Sequence, residues 1–151
     1  MATYTYNQII NQLKTISLSS PFVKRFGAGE IEQLDTDSSE STAFPICWCV
    51  PQNVEIGENS LNYRFRIMVM DIDNTDDAHQ QEILSDTLRT LIDIVKSFRY
   101  AGGNDYTLVE PPFPSANPFS HNLTDYVVGW YCDINIATDM NNDPCDIPEE
   151  L

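Results

Sequence analysis

The twelve residues from Asp71 to Glu82 hold the densest set of potential metal donors in the chain. Asp71, Asp73, Thr75 and Asp77 occupy positions 1, 3, 5 and 7, and Glu82 occupies position 12, which is the oxygen spacing of an EF-hand calcium loop. Position 6, where such a loop turns sharply on glycine, is Asp76, and the residues before the loop have the period of a strand rather than a helix. The same side chains also suit an acidic strand-to-helix connection whose carboxylates cap the helix. Cys47 and Cys49 stand at i and i+2 on one face of a strand, where Cys132 and Cys145 could join them. Structural zinc favours Cys-x₂₋₄-Cys pairs on tight knuckles, so this spacing points to buried free thiols and no metal site.

Other chemistry finds little support. Gly27-Ala28-Gly29 lacks a third glycine and a following helix, so it is not a phosphate loop. The two histidines, His79 and His121, have no partners at triad spacing, and each suits a surface position. Paired carboxylates are too common in a chain this acidic for any one pair to be informative. No catalytic residue and no cofactor is expected, and the chain does not look like an enzyme.

The elements that must position these residues are legible from periodicity. Leu61, Tyr63, Phe65, Ile67 and Val69 alternate with more polar partners, giving a strand with one strongly apolar face. Leu84, Leu88, Leu91, Val95 and Phe98 then recur at helical spacing, widened by Ile83 and Ile92 into a stripe able to cover a sheet. This helix is predicted from about Thr75 to Arg99, on the order of 36 Å long. Asn74 or Thr75 can cap it, Asp76 and Asp77 suit its positive end, Lys96 and Arg99 its negative end, and Gly102-Gly103 stops it. A shorter helix, capped by Thr3 or Thr5, carries Ile9, Ile10, Leu13 and Ile16 and ends between Ser17 and Pro21.

Between the helices, Phe22 to Leu34 reads as extended chain bent at Gly27-Ala28-Gly29, and Asp35 to Thr42 as an acidic hairpin tip or arm. Phe44, Ile46, Trp48 and Val50 form a strand that Pro45 can begin, and Gln52 to Ser60 reads as the turn of a hairpin. Beyond the long helix come a short strand at Tyr106 to Val109, a proline-rich loop from Glu110 to Asn122, and a strand with Val128, Trp130, Cys132, Ile134 and Ile136 on one face. The expected fold class is α+β, a mostly antiparallel sheet packed against two helices, with an extended loop and a C-terminal arm. A single domain is expected, with a core over residues 1–138 and an acidic arm over 139–151.

A chain of 151 residues buries roughly 70% of its unfolded surface, enough for a core without a metal or disulfide staple. It opens without a basic or apolar leader, and no apolar run approaches the ~20 residues of a membrane span. The expectation is a soluble protein with free thiols, assembled in a reducing cytoplasm and not bound to membrane; in that setting the Asn122-Leu123-Thr124 sequon carries no weight. The net charge is −15, and all eight basic residues lie in the first 99 positions, so nine acids and no base follow Arg99. Such a chain repels nucleic-acid phosphates. Acidity of this kind suits a surface past which DNA slides, a mimic of DNA, or plain solubility.

The loop and the arm invite a docking role. Phe113 and Phe119 are apolar anchors on a segment stiffened by Pro111, Pro112 and Pro114, and Cys145, Ile147 and Pro148 punctuate the acidic arm. Stiffness lowers the entropy lost on binding, so these residues are candidates for contact with an adjacent subunit or partner. The alternative is that both phenylalanines fold back onto the sheet.

Several stretches resemble tailed-bacteriophage virion proteins. They are the strand ending at Met70-Asp71, the acidic loop after it, the helix from Glu82 to Val95, the Val127-Val128-Gly129-Trp130 strand, Cys145-Asp146-Ile147-Pro148, and Pro21 to Gly27. The element order is similar to the tail-terminator fold, and the wording is most similar to phages of gut Bacteroidales, including the crAss-like group. The long acidic linkers depart from the compact terminators. The resemblance implies a homo-oligomeric ring of six or twelve copies at the head–tail junction, in the neck or tail of the virion. It implies portal, adaptor and tail proteins as neighbours, and genome DNA passing the lumen without specific binding. Two other functions fit the residues: an acidic inhibitor that imitates DNA, and a calcium-binding module.

Overall fold

Thr5 opens the first helix through a reciprocal capping box: its hydroxyl accepts from the Gln8 amide while the Gln8 side chain accepts from the Thr5 amide. The computed structural model describes residues 5–30, 44–73, 77–101, 107–108, 114–122 and 126–139. In chain order these form α1 (Tyr6–Ser19), β1 (Arg25–Ala28), β2 (Ile46–Ile56), β3 (Ser60–Ile72), α2 (Asp77–Ala101), β4 (Thr107–Leu108), β5 (Ala116–Asn122) and β6 (Tyr126–Asp139). The expected caps at Asn74 and Thr75, the acidic stretch Asp35 to Thr42, Gly102-Gly103 and residues 140–151 of the C-terminal arm lie outside the described residues, while Asp139 ends β6.

The sheet runs β1-β2-β3-β6, and β6 carries β5 and β4 one after the other along its far edge. Among the described pairings only β1–β2 is parallel and the others are antiparallel, so the fold is α+β with a mostly antiparallel sheet. Both helices pack on one face. Ile9 and Leu13 of α1 and Leu91, Ile94 and Phe98 of α2 meet Cys47, Cys49, Phe65, Ile67, Val69, Cys132, Ile134 and Ile136 in the main core. Each fully buried large side chain contributes about 1.5–3 kcal/mol by area, so this contact is the principal stabilising layer. Trp130 ties the layers further, its indole N–H donating to the Leu84 carbonyl at 2.8 Å.

The far face carries a second, smaller core of Phe44, Ile46, Trp48, Met68, Met70 and Val127. The indole N–H of Trp48 donates to the Gly29 carbonyl at 3.1 Å, and its ring lies so close to Gly27 that a Cβ there would stand 2.2 Å from a ring carbon. The glycines therefore have separate uses. Gly27 lies inside β1 and makes room for Trp48, while Gly29 alone has a left-handed backbone, φ 137°, and ends the strand.

Two expectations need correction. Gln52 to Ile56 continues β2, and the turn is confined to Gly57–Asn59. The strand passes through these turn-like residues by way of a bulge, where prolines in sheets are accommodated: Pro51 pairs with Phe65 and Asn53 with Arg64, leaving Gln52 extra. The second correction is that residues from Ala116 onward in the proline-rich stretch form β5 along β6, with Pro118 accommodated because β5 is an edge strand.

Candidate functional site

The buried thiols come first, because their chemistry is decided by burial. Cys49 and Cys132 flank Ile67 from β2 and β6 on the helix side of the sheet. Two strand spacings separate them, about 9.6 Å, beyond the reach of a disulfide. Cys47, Cys49 and Cys132 are free. Burial pushes the Cys47 thiol up to about 12 against a partial offset from its hydrogen bond with Ser17, and pushes Cys132 up to about 12 as well. Cys49 moves in the same direction for the same reason. Thiols held protonated in this way are poor nucleophiles and poor metal ligands at neutral pH. Among the described residues no cluster of three or more His, Cys, Asp or Glu is placed to hold a metal.

Asp71, the penultimate residue of β3, accepts a hydrogen bond from the Ile72 amide at 2.8 Å, and Asp73 follows the strand. The acidic loop thus leaves a strand, not the first helix of a helix–loop–helix frame. Residues 74–76 and the side chains of Asp77 and His79 lie outside the described residues.

Of the expected interface residues, Phe113, Pro111, Pro112, Cys145, Ile147 and Pro148 lie outside the described residues. Phe119 is half-buried on β5, packed against the far-face core with its ring 6.1 Å from that of Tyr131. For this residue the fold-back alternative describes the geometry. Pro114 lines a groove between α2 and β5. That groove has a volume of about 190 Å³ and is lined by Leu91, Ile92, Val95, Pro114, Ala116 and Cys132, with Lys96 and Arg99 also on its wall. Ile92 is 43% exposed, so part of this apolar wall faces solvent.

Sequence reasoning missed the opposite edge of the sheet. From Pro51 to Ile56, β2 is exposed and has no outer neighbour among the described residues, since β1 pairs only with Ile46 to Cys49. The bulge at Gln52 resets the alternation. Before it, odd-numbered Cys47 and Cys49 face the helices; after it, Val54 and Ile56 stand opposite Tyr63 and Leu61 and face that side instead. Ile56 is 78% exposed and Val54 is 44% exposed. The signal was present: Val54 and Ile56 mirror Leu61 and Tyr63 about the Gly57-Glu58-Asn59 turn, an alternating hairpin pattern.

Charge is distributed in a way that bears on function. The exposed side of α2 mixes signs, with Glu82, Asp86 and Asp93 among Arg89 and Lys96. On the far face Arg66 makes a two-pronged ion pair with Asp133 and covers the Tyr131 ring at 4.3 Å, while Arg64 pairs with Glu55 at 2.8 Å. The described segments contain all eight bases and eleven acids, a net of −3; the other segments hold the remaining twelve acids. No described helix is long and apolar enough to cross a membrane. No protein-family model matches the chain, and no curated protein matches it.

Proposed function

We propose that this chain is a structural, non-catalytic virion protein of a tailed bacteriophage that forms a homo-oligomeric ring at the head–tail junction, past which the genome travels. One observation carries the reading: the two edges of the sheet are unlike, and each is open among the described residues. One edge ends in the projecting β2–β3 hairpin and the other in the groove beside β5. Closed rings are built from heterologous contacts, in which one patch of the subunit meets a different patch of the next copy. A net charge of −15 suits a bore that does not hold phosphate. Portal, adaptor and tail proteins of the same virion are the expected neighbours.

Native mass spectrometry and particle imaging of the purified protein test this reading, with a closed ring of six or twelve copies as the expected result. A chain that stays monomeric at high concentration and also binds no portal or tail protein overturns it.

A further inference from the structure

The groove between α2 and β5 joins an apolar lining to a cation. Leu91, Ile92, Val95, Ala116 and Cys132 border a volume of about 190 Å³. Apolar cavities of ~150 Å³ hold a benzene-sized group, so this space admits one branched aliphatic side chain. Lys96, exposed on α2, stands on the same wall. The segment such a lining selects is extended, acidic and anchored by one aliphatic residue. This chain carries one within reach. β6 ends at Asp139, opposite Ser60, and Cys132 of the groove lies seven residues back along the same strand, about 23 Å at the rise of a strand. Ile147 is eight residues beyond Asp139, up to about 28 Å of extended chain, enough to return alongside β6 and enter the groove. Asp143, Asp146, Glu149 and Glu150 flank it, and Pro144 and Pro148 favour extended backbone.

We infer that the C-terminal arm folds back on its own subunit and seats Ile147 in the α2–β5 groove, with its flanking acids toward Lys96. Exposed ion pairs contribute little, so the aliphatic anchor supplies the affinity and Lys96 the direction. The arm is the occupant rather than the loop that precedes Pro114, because the loop brings Glu110 alone to a lysine and the arm brings four acids. It is the subunit's own arm rather than a neighbour's, because a short tether holds it at an effective concentration on the order of millimolar. A weak contact therefore closes within the chain before a second copy is met. With the arm in place the two edges of the sheet remain unlike, so the ring reading is not a premise and neither inference carries the other.

The test uses the full chain. A carbodiimide joins a lysine amine directly to a carboxylate in contact with it, so peptide mapping should find Lys96 linked to Asp146, Glu149 or Glu150. In an equal mixture of isotope-labelled and unlabelled chains, each linked pair should carry one label and not both. Cys145 gives a second readout, since the other three thiols are buried and its maleimide reaction proceeds from the undocked arm. Ile147→Asp should speed that reaction by on the order of tenfold, as the open fraction rises. Lys96→Glu should speed it several-fold, and Ile147→Val should leave it near the wild-type rate, with circular dichroism unchanged throughout. Lys96 linked chiefly to Glu110 would give the groove to the loop, and mixed-label pairs would give it to a neighbour's arm; either result overturns the inference. So does a Cys145 rate that Ile147→Asp leaves unchanged. Ring formation is read separately by native mass, so its failure would leave these outcomes as they stand.

Discussion

At the residue scale, the thiols set a pH limit on the fold. Burial pushes the Cys47 and Cys132 thiols up to about 12 in the folded state, from 9.0 for an ordinary thiol, and pushes Cys49 the same way. Below pH 9 both folded and unfolded chains keep these protons, and the thiols contribute nothing pH-dependent. Above it the unfolded chain releases protons that the folded chain retains, so stability falls as pH rises from 9 toward 12. Each retained proton costs about 1.4 kcal/mol per pH unit, so three thiols together give a slope of about 4 kcal/mol per unit. Urea unfolding at pH 8, 9, 10 and 11 should show this decline. In the triple variant Cys47→Ala, Cys49→Ala, Cys132→Ala the decline between pH 9 and 10 should largely vanish, leaving above pH 10 the contribution of Tyr6 and Tyr63, whose phenols burial also raises.

The element scale is ruled by how closely β3 and β6 approach. Gly129 stands opposite Met70, and a Cβ added there would lie 2.0 Å from the Val69 carbonyl oxygen and 2.8 Å from the Met70 Cα. Both obstacles are backbone, which cannot swing aside as a side chain would. Gly129→Ala should therefore destabilise by more than about 3 kcal/mol, at the upper end of overpacking effects. Gly27→Ala meets only the Trp48 ring, whose movement relieves part of the clash, so its cost should be smaller. Chemical denaturation of the two variants, side by side, checks both the magnitude and the order.

For the whole molecule, electrostatics opposes assembly at long range. Copies carrying −15 each repel one another, and the Debye length falls from about 30 Å at 0.01 M salt to about 8 Å at 0.15 M. Association of copies into the proposed ring should therefore strengthen over that range, because screening removes repulsion between like-charged chains. Sedimentation velocity at the two salt concentrations reads this directly. A basic DNA-binding ring would behave oppositely toward DNA, losing affinity as salt rises; this chain should retain no duplex DNA at either concentration in a gel-shift assay.

Local chemistry made much of this chain legible from the residues alone. The strand around Phe65 and the long helix around Leu91 follow from periods of two and 3.6, which any solvent-facing sheet and its covering helix must obey. The α1 cap at Thr5 and the inward Trp130 face could be read the same way. The hairpin was not legible to its tip, because a proline and a run of polar residues from Gln52 carry the composition of a turn. Only pairing with β3 holds them extended, and only the bulge decides that Val54 and Ile56 face the helices. Phe119 was undecidable in the same way, since a proline-rich stretch becomes a strand only when β6 offers an edge. Pairing partners and face parity depend on contacts distant in sequence. Periodicity determines that a strand or helix exists, and tertiary structure decides what each one meets.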